Sequence, residues 1–309
     1  MNTMISCVPY RLFTPASKLL STMEIVEMIF DLCDLKTIVA VSRMSKYTAG
    51  KAQWYLRRRM CMLSKEFFDG SEYLTFTLVA CNAVISGSTA LHFLLPKSTT
   101  SWMPTDLDIY VPMRCQLQLG HLLKNKGYHL QKQVRANNPP LKIYSLMTFG
   151  NMEKKINVIV CTTDCVVPPI LQEHCTAAMN FISASSIFCG CPLLTFCGLA
   201  MINSAQLYFG SFSHIGAAAL NKYKEHGFDF ITCPAAHNFP FACKSENRSL
   251  TDAGSLWVDI GMVPRAGTRP ENVYQRLGVI NMNWVLGGFL CRDHAALVML
   301  DIQVTSNDS

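Results

Sequence analysis

Apolar and polar positions change their rhythm near residue 70. From Ser21 to Phe68 the apolar residues recur three and four positions apart, as they do on short amphipathic helices. Ser21-Thr22-Met23-Glu24 fits a capping box with Ser21 as N-cap, and Ile25, Met28, Ile29 and Leu32 keep helical spacing behind it. A second helical segment runs from Asp34 to Ser42 through Leu35, Ile38, Val39 and Val41. A third covers roughly Tyr47 to Phe67, with Arg57-Arg58-Arg59 expected on its exposed side. Residues 1–18 show no periodicity and read as a lead-in.

Beyond residue 70 strand-like runs alternate with helical ones. Leu74 to Cys81 predicts a helix leading into a short strand, Val84 to Ser86, and Thr89 to Leu95 a helix that stops before Pro96. After the loop Lys97 to Pro104 come a strand, Leu107 to Val111, and an amphipathic helix, Cys115 to Asn125, ended by Gly127. Tyr128 to Val134, Leu141 to Thr148 and Lys155 to Cys161 predict three more strands, with the turn-rich Asn137-Asn138-Pro139-Pro140 among them. Pro168-Pro169 opens a helix continuing to Phe181, Leu193 to Leu207 is mixed, and Ala217 to His226 is helical up to Gly227. Phe228 to Ile231, Leu256 to Val258 and Leu297 to Val304 are β-like. The expected fold is α+β: a mixed sheet of four to five strands with flanking helices, preceded by a small helical element. The expected divisions are 1–18, 19–69 and 70–309.

Composition narrows the class. With 309 residues, half of them hydrophobic and 16% charged, the chain can build a core and is too apolar for a disordered protein. A formal charge of +6 suits an anionic ligand such as a nucleotide; RNA has no support beyond that charge. The 14 cysteines include no Cys-x-x-Cys pair, so buried reduced thiols are expected rather than disulfides or zinc; a site from His174, Cys189 and Cys191 is the weaker alternative. No signal peptide or membrane-spanning run is expected, which points to a cytoplasmic or nuclear protein without a membrane partner.

Two short stretches carry candidate chemistry. In Thr105-Asp106-Leu107-Asp108-Ile109 a strand puts both carboxylates on one face and the apolar pair on the other. Like charges there repel unless a positive group, commonly a divalent cation, lies between them. An exposed edge strand with solvated carboxylates is the plainer reading. The second stretch is the Gly87-Ser88 turn between a strand and a helix, where backbone N–H groups can approach phosphate.

The order strand, Gly87-Ser88, helix, loop, strand bearing Asp106-x-Asp108, helix, further strands resembles the nucleotidyltransferase superfamily over about Ala80 to Cys161. That resemblance implies two Mg²⁺ ions held by Asp106 and Asp108, and nucleotide phosphates at Gly87 and Ser88. The family's third carboxylate falls on the strand Lys155 to Cys161, where Asn157 stands instead: an amide offers one oxygen, no negative charge and no base. Asp164 is a poor substitute, and Lys97, Lys142, Lys154 and Lys155 lie near in sequence without diagnostic spacing. Leu20 to Phe30, Asp34-Leu35-Lys36-Thr37 and Val41 to Lys46 resemble a degenerate F-box, with Ser21 where that family has proline. This implies docking on the Skp adaptor of a cullin-RING ubiquitin ligase; a helical extension packed on the main domain is the alternative. Lys222-Tyr223-Lys224 and Arg248 to Asp252 are similar to the tails of fungal proteins combining these two parts, and a structural role is expected for both. Two functions follow: a nucleotide-binding, degenerate nucleotidyltransferase, or an adaptor with a catalytically dead core.

Overall fold

The computed structural model describes residues 19–136, 142–203, 214–231, 248–260, 277 and 282–284. The expected lead-in and the β-like run at 297–304 lie outside these residues. Helices α1 (Met23–Asp31), α2 (Leu35–Ser42), α3 (Lys46–Phe67) and α4 (Tyr73–Ala80) precede the first strand. The chain continues through β1 (Val84–Ser86), α5 (Gly87–Leu94), β2 (Asp106–Pro112), α6 (Gln116–Lys124), β3 (His129–Arg135), β4 (Ile143–Gly150) and β5 (Lys155–Cys161). Next come α7 (Val167–Leu171), β6 (Asn180–Ile182), β7 (Ser186–Cys189), α8 (Pro192–Thr195) and β8 (Leu199–Met201). After them come α9 (His214–Glu225), β9 (Asp229–Ile231), β10 (Arg248–Ser249), β11 (Leu256–Asp259) and β12 (Asn283–Trp284).

The fold is α+β around a mixed sheet, but the sheet has eight strands rather than four to five, in the order β11-β7-β6-β1-β2-β5-β4-β3. β1 runs antiparallel to β2, and β2 parallel to β5. The extra strands are β6, β7 and β11, the last on the β-like run Leu256 to Val258, and the expected helix from Pro168 to Phe181 is replaced by α7, a turn of 3₁₀-helix and β6. The capping box at Ser21 is also corrected: residues 19–21 are themselves helical, and α1 starts after Thr22, whose side chain makes no capping bond. The capping box lies on α3 instead, between Ser45 and Thr48, and Asp34 caps α2 by accepting from Thr37 N at 2.7 Å.

One sheet face packs Leu107, Ile109, Ile156 and Val158 into a cluster that also holds Val26, Phe30, Leu35 and Ile38, so the buried core runs without a break across residue 70. The arginine run does not share one face, because successive helical residues point about 100° apart. Arg57 donates to Ile260 O at 3.0 Å, Arg58 pairs with Glu27 at 2.7 Å, and Arg59 is buried. Arg59 donates to Phe93 O at 3.0 Å and His92 O at 3.3 Å, taking up carbonyls that the end of α5 leaves open. The opposite sheet face continues into Tyr110 and Ile159, buried with Ile170, Phe181 and Trp284. The cysteines described are free thiols, most of them buried, as the spacing predicts. Among the described residues no helix is long and apolar enough to cross a membrane.

Candidate functional site

Alternation along β2 and β5 builds the site. Leu107 and Ile109 are fully buried, while Asp106 and Asp108 are half-buried on the other face, at the end where the apolar cover of Tyr110 and Ile159 gives out. Parallel pairing sets Asp108 beside Asn157, and β1 places Ser86 opposite Asp108. The register therefore brings together the five residues singled out from sequence: Gly87, Ser88, Asp106, Asp108 and Asn157.

Gly87 has a reason beyond flexibility. Its φ is +68°, and a Cβ there would collide with Asp108 Oδ2, so the turn and the carboxylate fit only with glycine. The helix α5 starts at this glycine, two residues earlier than its apolar pattern predicts. Ser88 is buried, with its hydroxyl 3.4 Å from Lys222 Nζ. Thr89 donates to Asp106 O at 2.8 Å, and Ser86 donates to Asn180 O at 2.6 Å, fixing the turn against β2 and β6.

The Asn157 amide nitrogen donates to Asp106 Oδ2 and to Asp108 Oδ1, both at 2.9 Å, while Thr148 Oγ1 donates to Asn157 Oδ1 at 3.3 Å. Asp108 is raised from its ordinary 3.8 to about 7, first by burial and then by the charge of Asp106; the Asn157 bond and Lys222 pull the other way. Packing against Gly87 removes this carboxyl from water although the residue as a whole is half-buried.

Lys222 is the residue that sequence spacing missed. Tyr223 packs with Leu91 of α5 in a buried cluster, which holds α9 where Lys222 reaches Ser88. Trp102, in the loop before β2, stacks on His226 at 3.7 Å and donates to His226 O at 3.2 Å, tying that loop to the end of the same helix. Of the lysines near in sequence, Lys97 pairs with Asp31 at 3.5 Å and Lys154 with Glu66 at 3.0 Å, away from the carboxylates. Asp164 pairs with Arg114 at 3.0 Å on the surface and does not join the carboxylates.

Glu173 is a further acid near Asp108, on the turn after α7. Its oxygens are taken by Tyr110 OH at 2.7 Å and His174 Nδ1 at 3.0 Å. Burial opposes its charge, yet these bonds hold Glu173 below the usual carboxylate range. This pairing engages His174, and among the described residues no group of three or more His, Cys, Asp or Glu is placed to hold a metal, so the His174–Cys189–Cys191 alternative fails.

Whether Asp106 and Asp108 suit Mg²⁺ is decided atom by atom. Asp106 Oδ1 is buried without a hydrogen-bond partner, as an atom awaiting a cation would be. The inward oxygens, Asp106 Oδ2 and Asp108 Oδ1, face amide N–H groups instead. Two carboxylates with one unpartnered oxygen are a donor set of the kind Mg²⁺ takes, and the Asn157 amide occupies the two inward oxygens. A cavity of about 410 Å³ lies elsewhere, between α2, α3 and β11, lined by Ile38, Leu56 and Val258 among others; the carboxylates do not border it.

No protein-family model matches the chain, and no curated protein matches it at a significant level.

Proposed function

We propose that this chain is a nucleotidyltransferase-like protein with a degenerate site, one that binds a nucleotide through Mg²⁺ at Asp106 and Asp108 and does not turn it over. The observation that carries the reading is the convergence of both carboxylates on the Gly87-Ser88 turn, with Asp108 packed where only glycine leaves room. The antiparallel β1–β2 and parallel β2–β5 pairings support it, since they put the turn, the Asp-x-Asp strand and position 157 side by side. Bound Mg²⁺ would neutralise phosphate charge, and Lys222 beside Ser88 adds a cation from α9. Turnover is opposed by Asn157, which carries no negative charge and accepts no proton from an attacking hydroxyl.

Calorimetry with ATP, with and without Mg²⁺, tests this on the wild type and on Asp106→Ala/Asp108→Ala. Mg²⁺-dependent heat in the wild type that vanishes in the double variant is expected. Equal affinity in both proteins, or none in either, rules the site out. Labelled-NTP transfer then separates binding from catalysis, with no product expected.

A second reading, docking of the N-terminal helices on a Skp adaptor, is favoured by one observation. Met28, Ile29 and Leu32 form an exposed apolar patch over the last turn and C-cap of α1, with Met28 69% and Leu32 63% exposed. Of the docking face that the F-box resemblance implies, Ile25, Met28, Ile29 and Leu35, Ile25 is half-buried and Leu35 is fully buried and takes no part.

A further inference from the structure

We propose that Asn157 is a built-in competitor that keeps a bare divalent cation out of the Asp106–Asp108 pair. This rests on the nucleotide-site reading above and concerns what the pair accepts on its own. The amide nitrogen stands 2.9 Å from one oxygen of each carboxylate, so both of its hydrogens point to where a shared cation would bind. An amide nitrogen offers no lone pair to a metal. It is held in that orientation from behind, because Thr148 on β4 donates to its oxygen at 3.3 Å and the strand register sets Thr148 and Asp108 on either side of it.

A bare ion must therefore break two charge-assisted hydrogen bonds and would gain two carboxylates in return, without the third anionic ligand that an aspartate at 157 would bring. Mg²⁺ and Mn²⁺ keep several waters and favour sites where substrate phosphate supplies the remaining charge. Lys222 beside Ser88 works in the same direction, since it repels a lone cation and attracts phosphate. Asp106 Oδ1 is buried and unpartnered, so its charge stays unanswered while the amide holds the two inward oxygens. The site is thus closed to the ion alone and open to an ion that arrives with phosphates.

Titration with Mn²⁺ alone, followed by paramagnetic resonance and calorimetry, tests this on the wild type, Asn157→Ala and Asn157→Asp. Asn157→Ala removes the competitor without adding charge, and it should bind bare Mn²⁺ at least about tenfold more tightly than the wild type. Asn157→Asp should bind more tightly still, and Asp106→Asn on either background should abolish the gain. Weaker or equal binding by Asn157→Ala would overturn the proposal, because the amide would then be a ligand or a bystander. If Asn157→Ala does not fold, the thermal midpoint of Asn157→Asp decides: it should rise with Mn²⁺ by several degrees while that of the wild type stays put, and equal rises overturn the idea. Mn·ATP is titrated separately. Failure of the wild type to bind it sinks the nucleotide reading, while the bare-ion comparison still decides the role of Asn157.

Discussion

Two polar clusters in this molecule hold charge in opposite ways. Around Arg248 the charge is fully answered. Arg248 is 5% exposed, and its guanidinium donates to both Asp252 oxygens at 2.6 and 3.0 Å, to Gly190 O at 3.0 Å and to Ser255 Oγ at 3.1 Å, and lies over the Trp284 ring. Asp252 also accepts from Ser249 N at 2.9 Å, and its carboxyl is held below the usual range. At Asp106 and Asp108 two carboxylates share one neutral amide and a distant lysine, and one carboxylate oxygen has no partner at all. The first cluster fastens β10 and β12 to the turn after β7, and its charged atoms are paired within the fold, although Trp284 Nε1 is buried without a partner. In the second, Lys222 is the cation that acts on Asp108, and a strongly perturbed carboxylate at the end of a strand marks a candidate site. The contrast separates the two tail motifs: Arg248 to Asp252 is structural, as expected, whereas Lys222 belongs to the candidate site.

The sharpest way to break that contrast is Arg248→Ala. It strands the half-buried Asp252 and the Gly190 carbonyl without their partner and empties a buried site, and stability should fall by about 3–4 kcal/mol in urea unfolding. A loss below about 1 kcal/mol would mean that the cluster is not a clamp, and the comparison would lose its structural arm.

Asp108→Asn comes next and has the opposite sign. The folded protein holds Asp108 near 7 against an ordinary 3.8, so between those values the folded state binds the extra proton. Stability contributed by the neutral acid is present below about 4 and is lost as pH rises through about 7. At pH 8 the variant should therefore be more stable than the wild type, on the order of 2–4 kcal/mol, with a flatter pH profile between 4 and 7. Wild-type and variant profiles that run parallel would show that the carboxylate is not strained.

How much of this was legible in the sequence follows from burial. β2 and β5 could be placed because one face of each is apolar and the other carries Asp106, Asp108 and Asn157, which leaves a period of two. β6 and β7 are buried at every position, so they offer no alternation, and Asn180 to Ile182 read as the end of a helix. Gly87, Ser88 and the two aspartates were visible as a local pattern. Lys222 was not, because it comes from a helix 134 residues away whose position depends on Tyr223 packing against Leu91. The arginine run misled for a related reason: adjacency in sequence is not adjacency on a helix, and only the packed fold shows that Arg59 turns inward.

Gly87→Ala sharpens the comparison from the site's own side. The positive φ and the contact with Asp108 both oppose a side chain, so a loss of about 1–3 kcal/mol is expected. Arg248→Ala should weaken the fold with ligand affinity retained in the folded fraction. Gly87→Ala should lose Mg·ATP affinity beyond what its unfolding explains, because the turn and Asp108 move together. Retained affinity in folded Gly87→Ala would separate the turn from the carboxylates.

The smallest effect is expected on the patch that belongs to neither cluster. Met28 and Leu32 stand largely in water, so Met28→Ser/Leu32→Ser should change the urea midpoint by no more than about 0.5 kcal/mol equivalent. Leu35→Ser, only three residues further on, removes a fully buried side chain and should cost several-fold more. If the patch variant were as damaging as Leu35→Ser, α1 would be a core helix throughout and the adaptor reading would fall. If the patch variant is silent in stability yet abolishes binding of a purified Skp adaptor in calorimetry, the exposed face of α1 is a docking surface. The carboxylate site would then share its chain with a second, separable function.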